Sequence, residues 1–108
     1  MKKVEHIGIA VKDLSNSNTL FEKLFNQPHY KIEEVKSEDV RTSFFQLGET
    51  KIELLQATKP DSPIAKFIAK NGEGIHHIAF EVENIDSEIN RLLFCLLYTS
   101  PSPRDLST

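Results

Sequence analysis

The chain has 108 residues, with 13 Lys and Arg against 16 Asp and Glu and a formal net charge of -3. That length suits one small domain, and that charge leaves no broad basic surface for nucleic acid. No apolar run approaches the roughly 20 residues needed to cross a bilayer, and the lone cysteine, Cys95, can form no intrachain disulfide. A cytoplasmic protein with neither nucleic acid nor membrane as partner is expected.

The opening MKKVEHIGIAV has a basic tip, but its apolar run is broken by Glu5 and His6 and has no cleavage pattern, so it reads as a first strand rather than a signal peptide. Within it, Ile7, Ile9 and Val11 share a packing face, and Val4, His6, Gly8 and Ala10 share the other. After Asp13 or Ser15 as N-cap, Leu20, Phe21, Leu24 and Phe25 recur at helical spacing and predict a helix that covers the packing face. Gln27-Pro28-His29 ends it. Two strands follow, YKIEEVKS (30–37) and VRTSFFQL (40–47), and a tight turn at Gly48-Glu49-Thr50 leads into KIELLQ (51–56). In that strand Ile52 and Leu54 share one face, while Lys51, Glu53 and Leu55 share the other. Pro60-Asp61-Ser62-Pro63 supplies a helix start with Ser62 as N-cap, Ile64, Phe67 and Ile68 form a stripe, and Asn71-Gly72 closes the helix.

At residues 77–82 the chain repeats its opening. HIAFEV matches HIGIAV at one constant offset, pairing His6 with His77 and Gly8 with Ala79, and Asp13 with Asn84 ahead of each helix. Such a repeat predicts an internally duplicated fold that brings the two histidines together. Ile85, Ile89, Leu92 and Leu93 then mark an amphipathic helix, and FCLLYTSPSPRDLST offers no alternation from which further strands could form.

His6, Glu53 and His77 sit on the three strands with the clearest alternation, each opposite its strand's apolar face. Two imidazoles and a carboxylate on one face suit a divalent first-row cation, whereas a single histidine in a strand is usually structural. The pattern alone leaves both readings open. His76 is expected on the opposite face, as a structural or surface residue, and His29 in a turn. Phe44 and Phe45 alternate between pocket and core, and Glu33, Glu34 and Glu88 read as solvent-facing charge. Lys51, Lys59 and Lys66 read as solvated surface more readily than as phosphate ligands.

Taken together, HIGIAVKDL, FEKLF, FFQLGETKIELL, SPIAKFI and GEGIHHIAFEVENI, spread over residues 4–93, resemble the methylmalonyl-CoA epimerases. These belong to the vicinal oxygen chelate (glyoxalase/bleomycin resistance/dioxygenase) superfamily. The resemblance implies an α+β fold of paired β-α-β-β-β modules forming a cup-shaped mixed sheet, with the second module truncated. It implies a divalent metal ion (Co, Mn, Ni or Zn) held by His6, Glu53 and His77, with a fourth glutamate ligand in a strand that this sequence does not contain. The implied reaction is 1,1-proton transfer interconverting (R)- and (S)-methylmalonyl-CoA. Of the two bases that it needs, one is that same glutamate and the other matches Thr42, which cannot act as a carboxylate base, so no catalytic base is assigned. An acyl-CoA substrate and, at full length, a homodimer are the implied partners. A glyoxalase I-like lyase, another enzyme of the superfamily, or a non-catalytic small-molecule binding module would share the same cup. Finally, CLLYTSPSPRD resembles a translated sequencing adaptor, so residues 1–93 are expected to be a truncated domain and residues 94–108 a non-native, disordered tail.

Overall fold

A computed structural model of the chain describes residues 1–99. It divides into two units, residues 3–80 and a second formed by residues 1–2 with residues 81 onward.

In the larger unit, β1 (Lys3–Ala10), α1 (Leu14–Phe25), β2 (Lys31–Val35), β3 (Val40–Leu47) and β4 (Thr50–Ala57) are followed by α2 (Pro63–Asn71) and β5 (Gly74–Glu81). The strands form one mixed sheet in the order β2-β3-β4-β1-β5. β1 runs parallel to β4, with His6 opposite Lys51 and Gly8 opposite Glu53. β3 pairs antiparallel with β4 and sets Phe44 opposite Glu53 and Phe45 opposite Ile52. Because side chains alternate along each strand, this register gathers His6, Gly8, Lys51, Glu53 and Phe44 on one face of the sheet.

The opposite face carries the main core. Val11, Leu14, Phe45, Ile52 and Leu54 are buried there, with Ile7, Ile9, Phe21 and Phe25 packed against them. Asp13 caps α1 as expected, its carboxylate accepting from the Asn16 N–H at 3.0 Å. The predicted stripe on that helix is only half right. Leu20 and Leu24 remain 62% and 68% exposed, because about 100° per residue turns them away from the line of Leu14, Asn18, Phe21 and Phe25. The buried Asn18 completes the stripe that the sequence pattern misassigns.

A second cluster of Ala10, Val40, Leu55 and Ile64, joined by Phe67 and Ile68, packs α2 against the face that bears the histidines. Ser62 caps this helix by accepting from the Ala65 N–H at 3.1 Å, with Pro63 at its first position. Ser62→Ala should therefore lower unfolding free energy by about 1 kcal/mol. Urea denaturation checks this, and an unchanged midpoint would remove the cap from the account of α2.

The strand expected over residues 30–37 stops at Val35, and a 3-10 turn, Lys36–Glu38, follows. Asp39 closes that turn in the left-handed region at φ 52°, returning its N–H to the Lys36 carbonyl at 3.2 Å. Aspartate tolerates this conformation better than most residues. Gly48, at φ 62°, opens the β3–β4 hairpin loop, where a positive φ suits the glycine.

In the smaller unit the Lys2 N–H donates to the Glu81 carbonyl at 2.8 Å, and Asn84 caps α3 (Ile85–Thr99) by accepting from the Ser87 N–H at 2.9 Å. Glu88, read as solvent-facing, pairs with Arg91 and with the N-terminal amine. Helix α3 runs past Leu93 through the first residues of the expected disordered tail. Residues 94–99 contain neither glycine nor proline, and the first breaker is Pro101. The rest of that tail, residues 100–108, lies outside the described residues. Among the described residues no helix is long and apolar enough to cross a membrane.

Candidate metal centre

His6, Glu53 and His77 come together, each offering one ligand atom within 4.8 Å of the others. All three are partly buried. The two Nε2 atoms of His6 and His77 are 3.1 Å apart, with the rings edge to face. Two nitrogens bound to one tetrahedral cation at roughly 2.0–2.1 Å lie about 3.3 Å apart. Glu53 completes the group, its Oε2 lying 3.6 Å from His6 Nδ1.

The space for this arrangement is made by Gly8. A Cβ at that position would lie 2.3 Å from Cε1 of His77 and 2.7 Å from each of its ring nitrogens. The β1 backbone thus lets the His77 imidazole lie directly over it, which no larger residue would permit.

The electrostatics favour a cation. Burial pushes the Glu53 carboxyl above its ordinary value, and the nearby Glu5 and Glu33 add to the rise while His6 and Lys51 oppose it. Burial lowers the His77 imidazole, with His6 and His76 pressing in the same direction. The site therefore resists a lone negative charge on Glu53 and a proton on His77. A divalent ion meets both demands, since it offsets the carboxylate and binds neutral imidazole. The N,N,O donor set and its spacing fit such an ion.

Beside the histidines lies a cavity of about 240 Å³, walled by Leu55 and Ile64 and edged by Glu38, His76 and His77. A larger opening of about 520 Å³ near the start of α1 is edged by Lys12, Asn18 and Arg41 but includes none of the three candidate ligands.

Three polar residues at this site escape the sequence pattern. Glu5, an unremarked neighbour of His6, brings Oε1 to 2.7 Å from His6 Nδ1 and Oε2 to 3.4 Å from Lys51 Nζ. His76, expected on the far face, lies with its Nδ1 2.9 Å from His77 Nδ1 and its ring edge to face with Phe67 of α2. Glu38 reaches the cavity from the 3-10 turn, where no strand alternation could indicate its direction. By contrast Thr42 is buried on β3 opposite Leu55 and offers only a hydroxyl.

Comparison with known proteins gives a consistent picture. The Glyoxalase/Bleomycin resistance protein/Dioxygenase superfamily matches over residues 5–95. The uncharacterized protein YqjC of Bacillus subtilis is 34% identical over 92 residues, covering 85% of this chain and 66% of its own. The mitochondrial methylmalonyl-CoA epimerase of Homo sapiens is 35% identical over 88 residues, covering 81% of this chain and 50% of its own. A Streptomyces coelicolor methylmalonyl-CoA epimerase variant, solved in complex with 2-nitronate-propionyl-CoA, superposes with a TM-score of 0.74 at 30% identity, covering 85% of this chain and 68% of that one. The chain thus spans between half and two thirds of the length of these two curated relatives.

Proposed function

Since the chain belongs to the glyoxalase/bleomycin resistance protein/dioxygenase superfamily, we propose that it serves metal-assisted 1,1-proton transfer interconverting (R)- and (S)-methylmalonyl-CoA. The convergence of His6, Glu53 and His77 carries this reading, and the likeness to epimerases supports the choice of substrate.

His6, His77 and Glu53 would hold the ion. When bound, a divalent ion supplies Lewis acidity toward a thioester carbonyl, which eases loss of the proton on the adjacent carbon. The cavity beside His77 is of a size for a short branched acyl group, and Leu55 and Ile64 give it an apolar wall. Glu38 lines its edge, and we assign it the role of accepting or returning a proton there.

The test is deuterium exchange from heavy water into the α position of methylmalonyl-CoA, run with metal-loaded and with chelator-treated protein. Exchange that requires the metal and falls at least tenfold in Glu38→Gln, in line with the 10²–10⁴-fold typical of general acid–base groups, is the expected result. A protein that binds the metal yet gives no exchange above the chelated control would rule out the epimerase reading.

A further inference from the structure

The internal repeat extends one residue further out than the ligands themselves. At the offset that pairs His6 with His77, Glu5 pairs with His76. Each stands immediately before a candidate ligand histidine, and each meets the Nδ1 of that histidine, at 2.7 Å for Glu5 and 2.9 Å for His76. In both cases the Nε2 atoms are left to face one another across 3.1 Å.

We propose that Glu5 and His76 form a duplicated outer shell, each accepting the Nδ1–H of the following histidine and so committing His6 and His77 to coordinate a divalent cation through Nε2. The inference rests on the metal reading given above. An imidazole that donates from one nitrogen presents a lone pair on the other, so the outer bond sets both the tautomer and the ring orientation. His6 needs such a device, because its Nδ1 also lies 3.6 Å from Glu53 Oε2 and would otherwise be open to a second arrangement.

Both positioning groups are themselves held. Lys51, opposite His6 in the β1–β4 register, pairs with Glu5 at 3.4 Å. Phe67 of α2 packs its ring edge to face against His76 with centroids 4.9 Å apart. The strand carries the ligands, and a neighbouring element fixes each residue behind them.

The test uses the whole chain and zinc. Dissociation constants are measured by competition with a chromophoric chelator for the unsubstituted chain and for Glu5→Leu, Glu5→Gln, His76→Leu and His76→Asn. The leucine variants should each bind zinc about 10–100-fold more weakly, while glutamine and asparagine, which keep an acceptor near the ring, should recover most of that loss. In the zinc-loaded chain, ¹⁵N spectra should show both ligand imidazoles metal-bound at Nε2 with a proton on Nδ1. The Nδ1–H signal of His6 should vanish in Glu5→Leu alone, and that of His77 in His76→Leu alone. Tight zinc binding by the unsubstituted chain with equal affinity in the leucine variants, or coordination through Nδ1, would overturn the outer shell and leave the metal site standing. Failure of the unsubstituted chain to bind zinc would overturn both.

Discussion

Gly8→Ala is expected to weaken divalent-metal binding by more than the roughly 10–100-fold that follows loss of an outer hydrogen bond. The fold should be retained. The added methyl would lie 2.3 Å from His77 Cε1, so something has to move. What moves most readily is the far end of the imidazole, because β1 is fixed by its parallel register with β4 and by Ile7 and Ile9 against the core. The strain is thus relieved by displacing the ligand and not by opening the sheet. Alanine in place of a strand glycine also removes backbone freedom from the unfolded chain, a gain of about 0.5–1 kcal/mol that offsets residual crowding. Metal titration beside a thermal melt separates the two effects. Unchanged metal affinity would mean that the His77 ring does not take its place over Gly8 when it binds the ion.

The same residue shows where sequence reasoning stops. The strands that carry His6, Glu53 and His77 were legible because period-2 alternation assigns every side chain on them to a face at once. Asp13 and Ser62 were legible as caps because short polar side chains favour those positions for local reasons. Gly8 was read only as a small residue on the site face, since the need for glycine arises from a ring on another strand. Glu5 went unassigned, and His76 was misread by the rule that served its neighbours. Adjacent residues should diverge, yet a long carboxylate and an imidazole both reach round the strand to the Nδ1 beside them. The α1 stripe failed for a similar reason. Leu20 and Leu24 have the apolar chemistry, but the helix puts Asn18 inward in their place. Glu38 sits in a turn whose direction depends on the left-handed Asp39, and no periodicity encodes that.

Phe45→Ala should do the reverse of Gly8→Ala, lowering unfolding free energy by about 3–5 kcal/mol while leaving the metal site intact in the folded fraction. Phe45 is fully buried and meets the rings of Phe25 and Phe21 at 5.5 and 6.5 Å. Its removal leaves a cavity between α1 and the sheet, and such a loss is a large share of the ~5–15 kcal/mol that holds a small domain folded. Phe44, the next residue, points to the other face, where it stands opposite Glu53. The truncation therefore empties the core side of the sheet without touching a ligand, and substitutions at separate sites of this kind usually act independently to within about twofold in affinity. Urea denaturation with and without saturating zinc reads both quantities. A ligand that binds only the folded state stabilises it in proportion to the logarithm of its concentration over its dissociation constant. Zinc should then raise the midpoint of Phe45→Ala by as much free energy as it gives the unsubstituted chain, and give Gly8→Ala much less. Equal rescue of both variants would mean, as an unchanged titration would, that the His77 ring does not lie over Gly8 when it binds the ion.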